Sequence, residues 1–222
     1  LKLNRVSDNQ YWRDLPNSTS SLTQRLLNNE LNTTANLNGW ATLARIQRWQ
    51  TLQDATTPIT PPFDRTQLSA RKSFYAGYGL QTQFDADLTA FASRTDLTNQ
   101  PNGRRIFAAL QASKPMLYPG GFITPKLQLH TTSYQLDTAS ATSSLSGDNF
   151  RQRTVPTFSL DSGLFFERPS LLFGKNYNQT LEPRAFYVRT PYRKQSDMPN
   201  YDSGAKDFSL STIYSENPYV GN

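Results

Sequence analysis

Apolar and polar residues alternate with a period of two along most of this chain. In QFDADLTAFA, residues 83–92, Phe84, Ala86 and Leu88 alternate with Asp85 and Asp87. The same alternation recurs over residues 105–113, 122–130 and 158–167. Successive residues of a strand point to opposite faces of a sheet, whereas a helix repeats every 3.6 residues. The pattern therefore predicts an all-β protein.

About ten strands with alternating connector lengths follow from this pattern. We predict strands at residues 1–7, 21–36, 40–53, 65–75, 80–93, 105–113, 122–136, 154–168, 179–192 and 208–214. Long connectors are expected near 8–20, 54–64, 94–104, 137–153 and 193–207, and shorter ones near 37–39, 76–79, 114–121 and 169–178. Asn38-Gly39 and Pro119-Gly120-Gly121 are expected to form tight reversals.

The predicted strands are long enough to cross a lipid bilayer. Strands in globular proteins usually have about 5–6 residues, whereas a tilted strand that crosses a bilayer needs about 9–11. Long strands joined by short turns at one end and long loops at the other are typical of outer-membrane barrels. No segment approaches the roughly 18 apolar residues of a spanning helix. The sequence therefore predicts an antiparallel transmembrane β-barrel segment with meander topology.

Composition and charge limit the classes of partner. Only 36% of the residues are hydrophobic, but 12% are aromatic, and disordered chains contain few aromatic residues. The net charge of +6 is compatible with nucleic acid, an anionic membrane or a phosphorylated ligand. The arginines are dispersed along the chain rather than gathered into one basic groove, so we expect no nucleic-acid partner.

Few side chains suggest catalysis. The chain has a single histidine, His130, and no cysteine, so we expect no metal site and no thiol chemistry. Asp85 and Asp87 lie about 6.5–7 Å apart on one strand face, a separation at which two carboxylates can perform acid–base chemistry. Polar-face acids are also common in a water-filled barrel. We therefore expect no catalytic residues and no cofactor.

One region carries a specific family resemblance. Residues 179–203 read QTLEPRAFYVRTPYRKQSDMPNYDS, and this segment resembles the β-barrel domain of the LptD family of LPS-assembly proteins. The matching strand and loop residues are Leu181, Glu182, Pro183, Arg184, Pro191, Tyr192, Arg193, Gln195, Ser196 and Asp197. Shorter matches, such as Gly121 to Leu127 and Asp161 to Gly163, extend the resemblance over nearly the whole chain.

The resemblance implies transport rather than covalent chemistry. It implies an antiparallel barrel of roughly 26 strands in the Gram-negative outer membrane, which inserts lipopolysaccharide (LPS) into the outer leaflet. The implied partners are an LptE-like lipoprotein plug inside the barrel, LPS, outer-membrane lipids, and the periplasmic Lpt bridge, which is reached through an N-terminal domain. On this reading residues 1–222 are a single partial barrel domain, truncated at both ends.

A polar lumen would explain the charged strand faces. The residues that we predict to face this lumen are Asp85, Asp87, Arg105, Lys126, Gln128, His130, Asp161, Glu182 and Arg184. Two alternatives to the family reading stay open from the sequence. The chain could belong to another outer-membrane barrel, such as a porin or a receptor, or to a soluble secreted β-sandwich that binds or hydrolyses glycans.

Overall fold

The computed structural model describes residues 1–8, 25–52, 59–93, 101–137 and 148–221. Its strands are β1 (Leu26–Leu37), β2 (Trp40–Thr51), β3 (Asp64–Ala76), β4 (Leu80–Ala92), β5 (Gly103–Ser113), β6 (Met116–Tyr118), β7 (Gly121–Leu136), β8 (Phe150–Leu164), β9 (Phe166–Leu172), β10 (Lys175–Leu181), β11 (Arg184–Arg189), β12 (Gly204–Ala205) and β13 (Tyr219–Val220). Within these ranges no helix is long and apolar enough to cross a membrane.

Most of the strands form one antiparallel sheet. Its order is β1-β2-β3-β4-β5-β7-β8-β11, and β6 also pairs with β7. Apart from β6, β9 and β10, which interrupt two of the hairpins, neighbours in this sheet follow one another along the chain. This confirms the predicted all-β class and the meander topology. The sheet is open, with β1 and β11 at its two edges.

Two of the hairpins continue through a proline without a change of register. β5 and β6 both pair with β7, through Ser113 opposite Lys126 and Met116 opposite Ile123. Between them lies Pro115, which has no N–H to donate to the ladder. The short connector predicted at 114–121 is therefore wrong, because β6 continues the line of β5 up to the turn at Pro119-Gly120.

The second interrupted hairpin contains the family motif. Phe166 lies opposite Leu181, and Gly163 lies opposite Arg184. The ladder stops between these pairs, where Pro183 lacks an N–H, although its carbonyl still accepts a hydrogen bond of 3.0 Å from the Leu164 N–H. The single strand predicted at 179–192 is thus divided into β10 and β11. The connector predicted at 169–178 is wrong, since it is occupied mainly by β9 and β10.

The tight hairpin turns between described strands lie at one end of the sheet, which we call the turn end. They occupy residues 38–39, 77–79, 119–120 and 173–174. Asn38 and Gly39 have φ values of 51° and 80°. A type I′ hairpin turn requires positive φ at both central residues, and Asn-Gly is therefore a favoured sequence for it. The opposite end of the sheet, which we call the loop end, holds the last residues of β2, β4 and β7 and the first residues of β3, β5 and β8. The long connectors predicted between these strands lie mostly outside the described residues. The predicted reversals at Asn38-Gly39 and Pro119-Gly120 are confirmed.

The predictions for the two ends of the chain were wrong. Residues 1–7 form only an isolated bridge between Lys2 and Glu30, because side chains rather than a ladder hold this segment against the sheet. For example, the Gln50 amide nitrogen donates to the Val6 carbonyl at 2.8 Å. Residues 208–214 are not a strand. There the Ser209 carbonyl accepts turn hydrogen bonds from the N–H groups of Thr212 and Ile213, both at 3.0 Å.

The two faces of the main sheet differ in chemistry and in burial. We call the face with Asp87, Arg105 and Ser159 the polar face, and the face with Leu88 and Ile106 the apolar face. The polar residues are 2–4% exposed, whereas Leu88 and Ile106 are 49% and 56% exposed. This is the reverse of the order in a water-soluble protein.

Candidate functional site: the covered polar face

The residues predicted to face a lumen lie together on the polar face, with one exception. The pairings of β4, β5, β7, β8 and β11 place the side chains of Asp85, Asp87, Arg105, Lys126, Gln128, His130, Asp161 and Arg184 on this face. Glu182 lies in the interruption between β10 and β11 and is exposed. The expectation that one strand carries both Glu182 and Arg184 was therefore wrong, because Pro183 ends the ladder between them.

The chain after β11 returns across the polar face. We call residues 190–221 the return segment. Its start is held to the sheet, where the Thr190 hydroxyl lies 3.0 Å from the Thr157 hydroxyl. Its last residues pair with its middle, because β13 pairs with β12. The family-motif loop from Pro191 to Asp197 forms the start of the segment. The return segment explains why the polar face is buried.

A buried ion pair holds the centre of the return segment. The Asp202 carboxylate accepts hydrogen bonds of 2.7 and 3.1 Å from the two terminal nitrogens of Arg105. The side chains of Arg105 and Asp202 are only 3% and 8% exposed. Asp87 and Arg65 complete the charge cluster, at 3.8 Å from Arg105 and 3.5 Å from Asp202. A fork-like contact of this kind is among the strongest hydrogen-bond arrangements in proteins.

Tyr201 packs into an aromatic cluster beside this ion pair. Its ring stacks on Phe91 with centroids 4.3 Å apart and contacts Phe63 edge to face at 4.9 Å. Tyr134 and Leu136 complete the cluster. The Tyr201 hydroxyl donates to the Pro101 carbonyl at 3.1 Å, and burial raises the pKa of this phenol.

A glycine gives Tyr201 its room on the sheet. A Cβ atom at Gly103 would lie 2.7 Å from the Tyr201 hydroxyl oxygen and 2.7 Å from the Gln135 carbonyl oxygen. Both distances are shorter than real Cβ contacts allow, and one of the two neighbours is rigid backbone. Gly103 at the start of β5 therefore permits the close approach of the return segment.

A second anchor lies at Glu216. Its carboxylate accepts a hydrogen bond of 3.0 Å from the Ser159 hydroxyl and forms a 3.2 Å ion pair with Lys126. Burial alone would raise the pKa of Glu216, but a hydrogen bond from its own backbone N–H and the nearby Lys126 outweigh burial and lower the pKa. The ionised carboxylate is thus the form that the folded structure stabilises.

The third anchor is more exposed. Arg184 donates to Asp161 at 2.6 and 2.8 Å, and its guanidinium lies 4.2 Å from the ring centroid of Tyr214 in the return segment. Phe186 contacts the same tyrosine ring at 6.0 Å. Earlier in the segment, Gln195 accepts a hydrogen bond from Arg153. The motif residues Arg184 and Gln195 therefore join the sheet to the return segment.

The side chains considered for catalysis are engaged in the sheet. Asp85 is bound by Arg71 and Gln83, and Asp87 accepts hydrogen bonds of 2.6 Å from both Gln67 and Thr89. His130 lies 6.1 Å from the Phe107 ring. No group of three potential metal-ligating side chains occurs within the part of the chain that the structure describes.

Sequence reasoning missed the residues that make the strongest contacts of this site. Tyr201, Asp202 and Glu216 were not selected, because a polar loop is usually solvated. One signal was available: Tyr201-Asp202 places a large aromatic residue next to a carboxylate inside the family motif. Its partner Arg105 was selected, but the pairing joins positions 97 residues apart, and no local pattern encodes that.

Comparison with known proteins places the chain in a family. The family model "LPS transport system D", LptD, matches residues 1–222. The LPS-assembly proteins LptD of Polaromonas sp. and Albidiferax ferrireducens are 50% and 51% identical to this chain over its full length. That of Ralstonia nicotianae is 44% identical. The chain spans 27–28% of the length of these relatives.

These matches decide between the alternatives that the sequence left open. They cover the whole chain and do not involve a porin, a receptor or a secreted β-sandwich. The resemblance seen in the QTLEPR motif and the loop after it is thereby confirmed. The chain belongs to the LptD family.

Proposed function

We propose that this chain is a section of the wall of an outer-membrane β-barrel that transports LPS and inserts it into the outer leaflet. The polar face lines the lumen, the return segment lies inside the lumen, and the apolar face contacts lipid. The chain contributes to transport without catalytic residues or a cofactor. The domain is partial, and the rest of the barrel pairs with the open edges at β1 and β11.

The inverted burial of the two sheet faces carries this proposal. Leu68, Leu88, Leu110 and Leu129 are each about half exposed on the apolar face, and a water-soluble protein rarely exposes so continuous an apolar surface. The opposite face buries Arg105 and Asp87 under the return segment. Strands of a membrane barrel alternate in this way, with apolar residues outward and polar residues inward.

The two ends of the sheet support an orientation. Barrels of the outer membrane have short periplasmic turns and longer extracellular loops. The turn end would then face the periplasm, and the loop end would face the outside. Tyr78 and Tyr118 at the turn end are 97% and 59% exposed, which suits the aromatic girdle at a membrane–water interface.

The return segment also offers a surface to a partner inside the barrel. Tyr192, Phe208 and Leu210 are 88%, 87% and 91% exposed. These side chains are candidates for contact with an LptE-like lipoprotein plug. LPS, the outer-membrane lipids and the periplasmic Lpt bridge proteins are the further partners, the last reached through an N-terminal domain of the whole protein.

Lipid accessibility of the two faces tests the proposal. In the full-length protein that contains this chain, a photoreactive benzoylphenylalanine would replace Leu88 on the apolar face or Gln111 on the polar face. In native outer membranes we expect lipid crosslinks from position 88 and none from position 111. A fully soluble native protein, or equal lipid crosslinking from the two positions, would contradict the assignment of the faces.

Depletion of the protein tests the transport role. Loss of the full-length protein should reduce LPS at the cell surface, measured by accessibility to an LPS-modifying enzyme added outside the cell. Restoring the protein should restore the signal. Normal surface LPS after complete depletion would contradict the role in LPS transport while leaving the barrel assignment in place.

A further inference from the structure

The apolar face contains a hollow near the loop end. The hollow has a volume of about 750 Å³ and crosses the face from β1 to β8. Its floor includes the small residues Ala44, Thr66 and Ala90, while Leu88 and Ile106 are among the bulky apolar residues around them. The register explains the hollow, because Ala90 lies directly opposite Thr66, and a twisted sheet leaves space above such small side chains.

Arg104 lines this hollow, and no carboxylate of the described residues pairs with its guanidinium. It is directly opposite Ala90 and Gln135, lines the hollow and is exposed. It forms no ion pair with a carboxylate of residues 1–8, 25–52, 59–93, 101–137 or 148–221. The acidic residue nearest to it in register, Asp137, follows β7, and the two side chains are not paired.

Two other arginines differ from Arg104 because each has a carboxylate partner. The adjacent Arg105 is neutralised by Asp202 on the polar face. Arg48, which also points to the apolar face near the loop end, lies 3.8 Å from the Asp64 carboxylate. An arginine on the lipid face is tolerated near the membrane interface at about 0–1 kcal/mol. Arg104 is the second residue of β5, at the loop end, where headgroups would lie.

We propose that this hollow binds the acyl chains of an anionic phosphorylated lipid and that Arg104 binds the headgroup phosphate. This inference rests on the proposed function, because it requires the apolar face to contact a membrane. The volume lies within the range of about 300–1,000 Å³ of ligand sites. The planar guanidinium binds phosphate through two parallel hydrogen bonds. The site therefore selects a lipid whose headgroup has no cationic group that would neutralise the phosphate.

A crosslinking comparison of two lipids tests this site. The full-length protein, with benzoylphenylalanine in place of Leu88, would be reconstituted in bilayers that contain tagged phosphatidic acid or tagged phosphatidylcholine with the same acyl chains. We expect phosphatidic acid to give the higher yield. Arg104→Gln should remove roughly a tenfold preference, and Arg104→Lys, which keeps the charge but loses the fork, should remove part of it.

Matched variants separate this site from general lipid contact. Arg48→Gln should keep the preference, because Asp64 already neutralises Arg48. Ala90→Trp should fill the hollow and lower the yield with both lipids. Ala108→Trp, on the apolar face of β5 but outside the hollow, should leave both yields unchanged.

The possible outcomes distinguish a failure of this inference from a failure of the proposed function. Equal yields with the two lipids, or a preference that survives Arg104→Gln, would overturn the phosphate site while leaving the barrel assignment intact. Crosslinks from position 88 to protein instead of lipid would show that a polypeptide covers the hollow. Absence of any lipid crosslink in a folded, membrane-inserted protein would refute the assignment of this face to lipid, and with it the inference.

Discussion

The polar and apolar faces of the sheet use the same strands but are stabilised in different ways. The polar face binds the return segment of its own chain through Arg105, Glu216 and an aromatic cluster. The apolar face exposes Leu68, Leu88 and Leu110 and makes no comparable contact among the described residues. Folding of the polar face can therefore be completed by this chain, whereas the apolar face depends on its surroundings. Changes directed at one face should have different consequences from changes at the other.

The largest effect should come from breaking the buried ion pair of the polar face. Asp202→Ala leaves Arg105 buried without its partner, and loss of one member of such a pair costs about 3–5 kcal/mol. We expect the return segment to detach, seen as faster amide hydrogen exchange over residues 190–221 of the full-length protein. Asp161→Ala, which breaks the more exposed pair with Arg184, should cost only about 0–1 kcal/mol. Similar exchange in the two variants would contradict this ranking.

A charge on the apolar face should have the next largest effect. Leu110→Arg places a cation against lipid, which costs about 2–4 kcal/mol near the bilayer centre. Gln111→Arg, one residue further along β5, places the same charge on the polar face and should be tolerated better. The yield of folded barrel in lipid vesicles, read from heat-modifiable gel mobility, measures the difference. If the two variants fold equally well, the sheet does not have one lipid face and one wet face.

A smaller effect is expected from the tyrosine hydroxyl on the polar face. Tyr201→Phe keeps the stacking on Phe91 but removes the hydrogen bond to the Pro101 carbonyl. The expected loss is about 0.5–1.5 kcal/mol, which should raise hydrogen exchange locally around residue 201 without releasing the whole return segment. Tyr118→Phe, at an exposed tyrosine of the turn end, serves as the control. Full release in Tyr201→Phe would mean that the hydroxyl matters more than the ring.

Acid should weaken the polar face through Glu216 and leave the apolar face unchanged. The pKa of Glu216 is lowered below its usual value of 4.5, so its contribution is present above that value and is lost as pH falls through the lowered pKa. We expect lower protection against amide exchange near residues 215–218 at acidic pH, measured relative to the intrinsic exchange rate at the same pH. Glu216→Gln should lose this step of the pH dependence, and a step that persists in this variant would point to another carboxylate.

The sequence predicted the sheet better than it predicted the site. Strands such as β4 and β7 were found because each alternates along its own length, and local alternation is enough to recognise a strand. The division at Pro183 needed the register of the partner strand. The fold-back of the return segment depends on Arg105 meeting Asp202, a contact between distant positions, so no window of neighbouring residues could reveal it. The strand predicted at 208–214 was wrong, because hydroxyl side chains there stabilise a turn.

The separation of Arg105 and Asp202 along the chain has a consequence for the order of folding. Arg105 and Asp202 are 97 residues apart along the chain. Contacts between such distant positions form slowly. The ion pair should therefore be absent from the transition state, so that its loss accelerates unfolding more than it slows folding. Until β5 to β11 are assembled, Arg105 remains hydrated. The return segment therefore closes late in folding, after the strands between Arg105 and Asp202 have formed.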